Sequence, residues 1–549
     1  MTFSNLMGLL GGLALFLYGM QMMSTGLEAA AGNKMKTILE KLTANRFIGV
    51  VVGAVITAII QSSSATTVMV VGFVNSKMMT LKQAAWIIMG ANIGTTITGQ
   101  LIALDVGEIA PIMAFTGVAA VVFLKNEKVR HIGEILAGLG ILFIGMDMMG
   151  GAMKPLANMP EFVNLLTKFE NPILGILVGA IFTAVIQSSS ASVGILQALA
   201  GSGVIGLNGA AYVLFGQNIG TCITAFLASI GTNTNAKRTT VIHIMFNVFG
   251  TIVFTLLCLT TPLISFMERM TPGNAAAQIA NLHTTFNIVT TILLLPIGGY
   301  LTNLATLILK DKKKTGEEEE ALRVKYLLDI KHINTDKLGA AFVCMEGIKQ
   351  EVVRMLDMAI ENVNSSFSLF AKRDEEEYQK LEKREEYVDF LNREISKYIT
   401  TAVSSEHTKS GAAIFNSMFT ITSNVERISD HATNIAGYSK MITEKKITFS
   451  EFAHRELKEM QKVCDEMFRI LSDKPEDVIK WHERMAGMEQ KVDDMTAAFR
   501  INMYDRIGRG ICSDEGSILF AEMLVDFERI GDHALNISNE MLKIAMVEK

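Results

Sequence analysis

Gln61-Ser62-Ser63-Ser64-Ala65 and Gln187-Ser188-Ser189-Ser190-Ala191 are the same five residues set 126 positions apart, each inside an otherwise apolar segment. Laid over one another at that offset without a gap, residues 49–103 and 175–229 agree at 24 of 55 positions. Asn92-Ile93-Gly94-Thr95 returns as Asn218-Ile219-Gly220-Thr221, and Gly53, Thr57, Gly90 and Thr98 return as Gly179, Thr183, Gly216 and Thr224. Agreement this dense at one offset is an internal duplication, with repeats over about 47–104 and 173–230.

The composition around the duplication divides the chain of 549 residues in two. Residues 1–310 carry 15 Lys+Arg and 10 Asp+Glu, about 8% charged, with seven of the eight prolines and apolar runs near 20 residues long, as a bilayer selects. Residues 311–549 carry the other 35 basic and 45 acidic residues, about 33% charged, as a water-soluble part requires. Several segments long enough to cross about 30 Å of hydrocarbon exclude a single globular enzyme and a receptor with one anchor. Net charge of about +5 on the first part and about −10 on the second offers no basic surface for nucleic acid. The five cysteines show no CxxC spacing, so reduced thiols are expected. The apolar run from Leu6 to Met23 follows no basic n-region and reads as a retained membrane helix.

Basic loops favour the cytoplasm. One with Lys34, Lys36, Lys41 and Arg46 enters the first repeat, one with Lys125, Lys128 and Arg130 follows it, and Lys237-Arg238 leaves the second. With all three inside and the loop from Lys154 to Lys168 outside, the copies run in opposite senses, the usual build of a secondary transporter.

Gln-Ser-Ser-Ser in mid-segment would orphan donors and acceptors in lipid, at several kcal/mol per group, so these side chains must face protein, water or a ligand. After a glycine-rich apolar helix the block reads as the tip of a re-entrant hairpin. There, free N–H groups and hydroxyls can hold an anion while carbonyl and hydroxyl oxygens coordinate a small cation. The Asn-Ile-Gly-Thr blocks read as a second helix break. Residues 47–103 and 173–230 contain no Asp, Glu or His, which disfavours a proton relay and leaves no carboxylate to repel an oxyanion. Small polar residues also mediate plain helix packing, but duplication at one offset weighs against packing alone. His243 and Asn247, and again His283 and Asn287, each lie one helical turn apart; their spacing suits polar glue between helices as well as ligand contact.

The doubled block, the Asn-Ile-Gly-Thr pair and Ala236-Lys237-Arg238-Thr239 leading into His243 and Asn247 resemble the bacterial branch of the type II sodium-phosphate cotransporters, over about residues 1–310. The resemblance implies that inorganic phosphate and co-transported Na⁺ bind where the two hairpins meet. It places Gln61, Ser62, Ser63, Ser64, Gln187, Ser188, Ser189 and Ser190 at the site, with Thr66, Asn92, Thr95, Asn218 and Thr221 as helpers. The second copy departs from the first, with Ser192-Val193 for Thr66-Thr67 and Cys222 for Thr96, so the sodium count does not follow from the duplication.

Residues 311–329 form a charged linker, and 330–549 show long amphipathic helical patterns, about six helices in two bundles of three. This half repeats too: Glu426-Arg-Ile-Ser-Asp430-His431 matches Glu528-Arg-Ile-Gly-Asp532-His533 at offset 102, and Glu385 to Asp389 matches Glu489 to Asp493 at offset 104. Each pair puts two carboxylates on one helix face, where they repel unless a cation intervenes. Facing pairs could bind hard or borderline cations, or could be acidic faces balanced by Arg427 and Arg529. The doubled motif resembles the PhoU family of phosphate-signalling helical proteins, which carries Glu385, Asp389, Glu426, Asp430, Glu489, Asp493, Glu528 and Asp532 over as ligands for a divalent or iron-type metal and implies a regulatory role. The expected fold is all-α: a polytopic membrane domain of two inverted repeats with re-entrant hairpins, and a cytoplasmic PhoU-like bundle of two three-helix repeats. The expected function is sodium-coupled uptake of phosphate across a bacterial inner membrane, with no reaction catalysed. The partners are phosphate, sodium and the lipid bilayer, with room for a phosphate-signalling protein and a homo-oligomer. The alternatives are a phosphate-sensing signalling protein with little transport, and a metal-dependent phosphatase in the second half, for which no nucleophile or hydrolytic motif is evident.

Overall fold

The computed structural model describes residues 3–31, 45–104, 106–155, 159, 168–310, 322–328, 340–371, 374–403, 409–473 and 477–548. The basic loop with Lys34, Lys36 and Lys41, most of the loop between Lys154 and Lys168, and residues 311–321 of the charged linker lie outside the described residues. Every regular element among the described residues is helical, and the chain divides into two compact units.

The first unit contains α1 (Phe3–Ala31), α2 (Arg46–Ile60), α3 (Ser63–Asn75), α4 (Leu81–Ile102), α5 (Ala110–Phe123), α6 (Glu127–Met153), α7 (Pro172–Ile186), α8 (Ser189–Gly201), α9 (Leu207–Gly220), α10 (Cys222–Ala228), α11 (Thr234–Thr260), α12 (Leu263–Met270), α13 (Ala275–Leu294) and α14 (Gly298–Ile308). Four spans among the described residues are long and apolar enough to cross a bilayer: Phe3–Leu27, Glu127–Met153, Leu207–Ala228 and Thr234–Thr260. Two bent pairs, α4 with α5 at 72° and α13 with α14 at 84°, raise the number to six. At 1.5 Å per residue, α2 and α7 reach only about 22 Å and α3 and α8 about 20 Å, too short to span. In each of the couples α2 with α3 and α7 with α8 the apolar stretch is interrupted at its Gln-Ser-Ser-Ser block.

Glycine sets how the repeats pack. A Cβ on Gly53, Gly90 or Gly94 would overlap the carbonyl oxygen of Ile87, Val50 or Ala54, so α2 and α4 touch backbone to backbone. Gly179, Gly216 and Gly220 do the same against Val213, Ile176 and Ala180, joining α7 to α9. These six positions are related by the 126-residue offset. The offset also reaches α1 and α6, where Gly12 packs on the Gly145 carbonyl and Gly19 on that of Gly138. Contact of i with j and of j's mate with i's mate is the signature of a two-fold relation, here within one chain. The glycine of the first Asn-Ile-Gly-Thr block therefore serves close approach, and the expected break is absent there: α4 runs unbroken through Asn92–Thr95. In the second copy α9 gives way to α10 at Thr221, whose backbone stays helical.

Among its described residues the second unit has six helices, the number expected: α15 (Ala340–Ala371), α16 (Glu375–Val403), α17 (Lys409–Glu444), α18 (Glu451–Ser472), α19 (Val478–Gly508) and α20 (Asp514–Glu548). Its core follows from three-and-four spacing, as in Val388, Leu391, Ile395 and Ile399 of α16, all buried. α17 and α20, which carry the doubled motif, pack against each other. The end of the linker belongs to this unit: the buried Glu351 carboxylate accepts from the backbone N–H groups of Lys325 and Tyr326, and Arg354 donates to the Arg323 carbonyl at 3.0 Å.

Candidate functional site

The two Gln-Ser-Ser-Ser blocks fold in the same way. α2 ends on Gln61, whose backbone is left-handed (φ 55°, ψ 25°) and whose N–H donates to the Thr57 carbonyl. Gln187 ends α7 alike (φ 59°, ψ 21°), bonding Thr183. A left-handed residue is a common helix stop, usually glycine. A glutamine there costs on the order of 1–3 kcal/mol, the kind of strain that collects at functional positions. The next serine, Ser62 or Ser188, is extended and accepts from the N–H of Ala65 or Ala191, capping the helix that starts one residue later. Each block thus stops one helix and starts the next within two residues.

The tips meet at equivalent residues, with Ser63 Oγ 3.4 Å from Ser189 Oγ and both side chains buried. Helices α3 and α8 both begin there, so two N-terminal dipole ends converge where no carboxylate is near in sequence. Around this point Thr66 accepts from Thr57 (2.9 Å) and donates to the Ser62 carbonyl (3.2 Å), and Ser192 donates to that of Ser188 (2.8 Å). Asn92 and Thr95 turn to their own helix, Nδ2 to Ile88 at 2.8 Å and Oγ1 to Ala91 at 3.0 Å. Asn218 does the same toward Leu214 and is also bonded to His283 at 3.0 Å. Ser64 Oγ and Thr221 Oγ1 are buried without a hydrogen-bond partner, as are both ring nitrogens of His243 and the side-chain oxygens of Asn247 and Asn287. Buried polar atoms left unpaired in this number are the signature of groups that meet water or a ligand.

Three participants escaped the sequence reading. Thr98 donates to Gln61 Oε1 at 2.7 Å, Gln197 Nε2 ties α8 to the carbonyls of Gly99 and Ala276, and Gln217 Nε2 holds the Ser192 carbonyl. Thr98 recurs as Thr224 and could have been weighted on that ground; the glutamines do not recur.

In the second unit Glu385 and Asp389 of α16 and Asp430 of α17 bring carboxylate oxygens within 4.8 Å of one another. Burial, with Asp389, Asp430 and Glu426 close by, pushes the Glu385 carboxyl up to about 7. Burial and the neighbouring carboxylates also raise Glu426 and Asp430. Three such oxygens with protonation made easy fit a hard or borderline cation, which would replace the protons. The copy is less open. Glu489 and Asp493 are raised by burial and by nearby aspartates, but Glu528 faces Arg500 at 3.8 Å and Asp532 faces Arg529 at 3.1 Å. Between the copies, His431 Nδ1 lies 2.7 Å from Asp526 and His533 Nδ1 lies 2.9 Å from Asn424, the rings stacked 5.5 Å apart. Asp526 and Asn424 are themselves mates at offset 102, just upstream of the residues the sequence reading aligned.

With this geometry in place, known proteins give a frame for the chain. A family model described as Na+/Pi-cotransporter matches residues 15–151 and 146–271, and the PhoU domain model matches 352–438. The "Uncharacterized protein YqeW" of Bacillus subtilis is 33% identical over 299 residues, 54% of this chain and 96% of that protein. The "Putative inorganic phosphate export protein YjbB" of Salmonella typhimurium is 23% identical over 468 residues, 85% of this chain and 83% of that protein. Human "Sodium-dependent phosphate transport protein 2B" is 33% identical over 144 residues, 24% of this chain and 21% of that protein. No solved structure matches.

Proposed function

We propose that this chain, which belongs to the Na+/Pi-cotransporter family and carries a PhoU domain, couples inward sodium movement to uptake of inorganic phosphate across a bacterial inner membrane. The observation that carries the reading is the meeting of the two left-handed-glutamine hairpins at Ser63 and Ser189. Phosphate takes the N–H groups and serine hydroxyls of the two helix starts, at Ser62 to Ser64 and Ser188 to Ser190. Na⁺ takes carbonyl and hydroxyl oxygens of Gln61, Thr66, Asn92 and Thr95 and of Gln187, Asn218 and Thr221. Neutral oxygens suit Na⁺, and a bound cation offsets oxyanion charge that no residue of the two Gln-Ser-Ser-Ser blocks neutralises. The duplicated frame supplies two related half-sites that exchange access. The second unit is cytoplasmic in this reading and regulates flux, with a metal held by Glu385, Asp389 and Asp430.

A second reading, phosphate export, is favoured by the name of the YjbB relative. The test is phosphate flux in proteoliposomes of the full chain, under an inward Na⁺ gradient, an outward one, and K⁺ in place of Na⁺. Uptake that follows the Na⁺ gradient and is lost in Ser63→Ala and Ser189→Ala proteins of unchanged stability supports symport at the hairpin tips. Flux indifferent to Na⁺ refutes the coupling, and wild-type flux in the Ser63→Ala, Ser189→Ala double variant refutes the site.

A further inference from the structure

The 126-residue relation extends to individual hydrogen bonds, and there it is broken on one side only. Thr98 donates to Gln61 Oε1 at 2.7 Å and Ser190 to the Gln61 carbonyl at 3.3 Å, and Gln61 is buried. Their mates do not act on Gln187 among the described residues: Thr224 bonds the Thr221 carbonyl of its own stretch at 3.0 Å, Ser64 Oγ is buried without a partner, and Gln187 is exposed.

Helices α11 and α13 obey the same relation. Both carry His-x-x-Phe-Asn-x-x-x-Thr-Ile, at 243–252 and 283–292. Thr251 bonds the Phe215 carbonyl at 3.3 Å and Thr291 that of Met89 at 3.5 Å, and Phe215 and Met89 are mates at the offset. Phe286 stacks on Phe215 at 5.3 Å, while Phe246 shares a buried cluster with Met89. One turn from each lie His283 and Asn218, and in the related position the same correspondence pairs His243 with Asn92. The first contact is made at 3.0 Å. Because Asn218 Nδ2 already donates to Leu214, its Oδ1 is the acceptor and His283 Nε2–H the donor. Asn92 is turned the same way, Nδ2 on Ile88, yet both nitrogens of His243 are buried and unpaired. An imidazole always bears at least one N–H, and burying it unmade is unfavourable, so this arrangement leaves a bond in reserve.

We propose that His243 and His283 are a symmetry-related pair of positioning residues that take turns holding Asn92 and Asn218 as the site changes the side to which it opens. In the state described here His283 holds Asn218 and Gln61 is latched by Thr98 and Ser190. In the opposite state His243 holds Asn92, Gln187 is latched by Thr224 and Ser64, and the first set is released. Each state then keeps the same number of bonds, which lets the two lie close in energy. The inference rests on the transport reading above.

The test measures half-saturating phosphate from each face, in right-side-out and inside-out vesicles containing the full chain. His283→Leu removes a bond made in one state and should shift the ratio of the two values about fivefold; His243→Leu should shift it about fivefold in the opposite sense. The double variant should return within about twofold of wild type, and His283→Gln and His243→Gln, which keep a donor, should shift little. His283→Asn and His243→Asn, polar but too short to reach, give the same opposed signs if the leucine variants do not fold. Shifts of the same sign, or none, overturn the proposal, including the case in which a buried water serves His243. Absence of phosphate flux in the wild type would instead overturn the transport reading.

Discussion

Replacing Glu385 by Gln should stabilise the second unit in the absence of metal and abolish its stabilisation by metal. The Glu385 carboxyl sits among Asp389, Asp430 and Glu426, which with burial hold it at about 7 against an ordinary value of 4.5. The folded state therefore prefers the protonated form. Its contribution is fully present below pH 4.5 and is lost as pH rises through 7. The whole displacement would amount to about 3 kcal/mol, but the half-buried group is screened by water, which leaves about 1–2 kcal/mol. Glutamine keeps the shape without the charge. In thermal unfolding of the detergent-solubilised chain with chelator, the variant's transition should match wild type near pH 5 and exceed it at pH 8 by several degrees. Added Mn²⁺ or Fe²⁺ should reverse the order at pH 8, raising the wild type and leaving the variant nearly unmoved. A variant less stable than wild type at every pH without metal, or stabilised equally by the ion, would refute both the electrostatic account and the assignment of Glu385 as a ligand.

Two further outcomes follow from packing. Gly90→Ala forces a methyl onto the Val50 carbonyl and should cost about 3 kcal/mol, seen as a lower unfolding temperature with loss of transport, whereas Gly150→Ala, where a Cβ meets nothing within 4 Å, should be neutral or stabilising. Glu456 and Arg506 form a buried two-pronged pair at 3.0 and 2.8 Å, so Glu456→Gln should lower denaturant resistance of the second unit by about 3 kcal/mol through the stranded guanidinium.

Much of this arrangement was legible in the residues. The doubled polar block in apolar surroundings demands a protein-lined turn, and both turns are there; three-and-four spacing yields the six helices among the described residues of the second unit. A residue with two uses is ambiguous in the sequence. Gly94 could mark a break or a close approach, and only the neighbouring helix decides: the Ala54 carbonyl occupies the space a side chain would need and α4 runs on, whereas α9 gives way to α10 just past Gly220. The two sets of carboxylates carry the same spacing, and spacing does not distinguish a ligand set from an acidic face that arginines reach, as Arg500 and Arg529 reach Glu528 and Asp532. The relation between Gly12 and Gly145 was hidden because the residues around them are apolar without being identical. The one-sided latching of Gln61 could not be read at all, since both copies contain the residues for either state.

The glycine contacts bear on how the protein can be handled. Helices joined by carbonyl oxygens against Cα–H groups are held by dispersion and short polar contact, with no need of water to drive them together. Exchanging lipid for detergent leaves those forces nearly unchanged, because hydrocarbon chains solvate the outside of the pair in either case. The couples α2 with α4 and α7 with α9 should therefore come through solubilisation as intact pieces. The bent pairs, whose geometry a bilayer's two interfaces help to set, are the places where a micelle would be expected to alter the protein first.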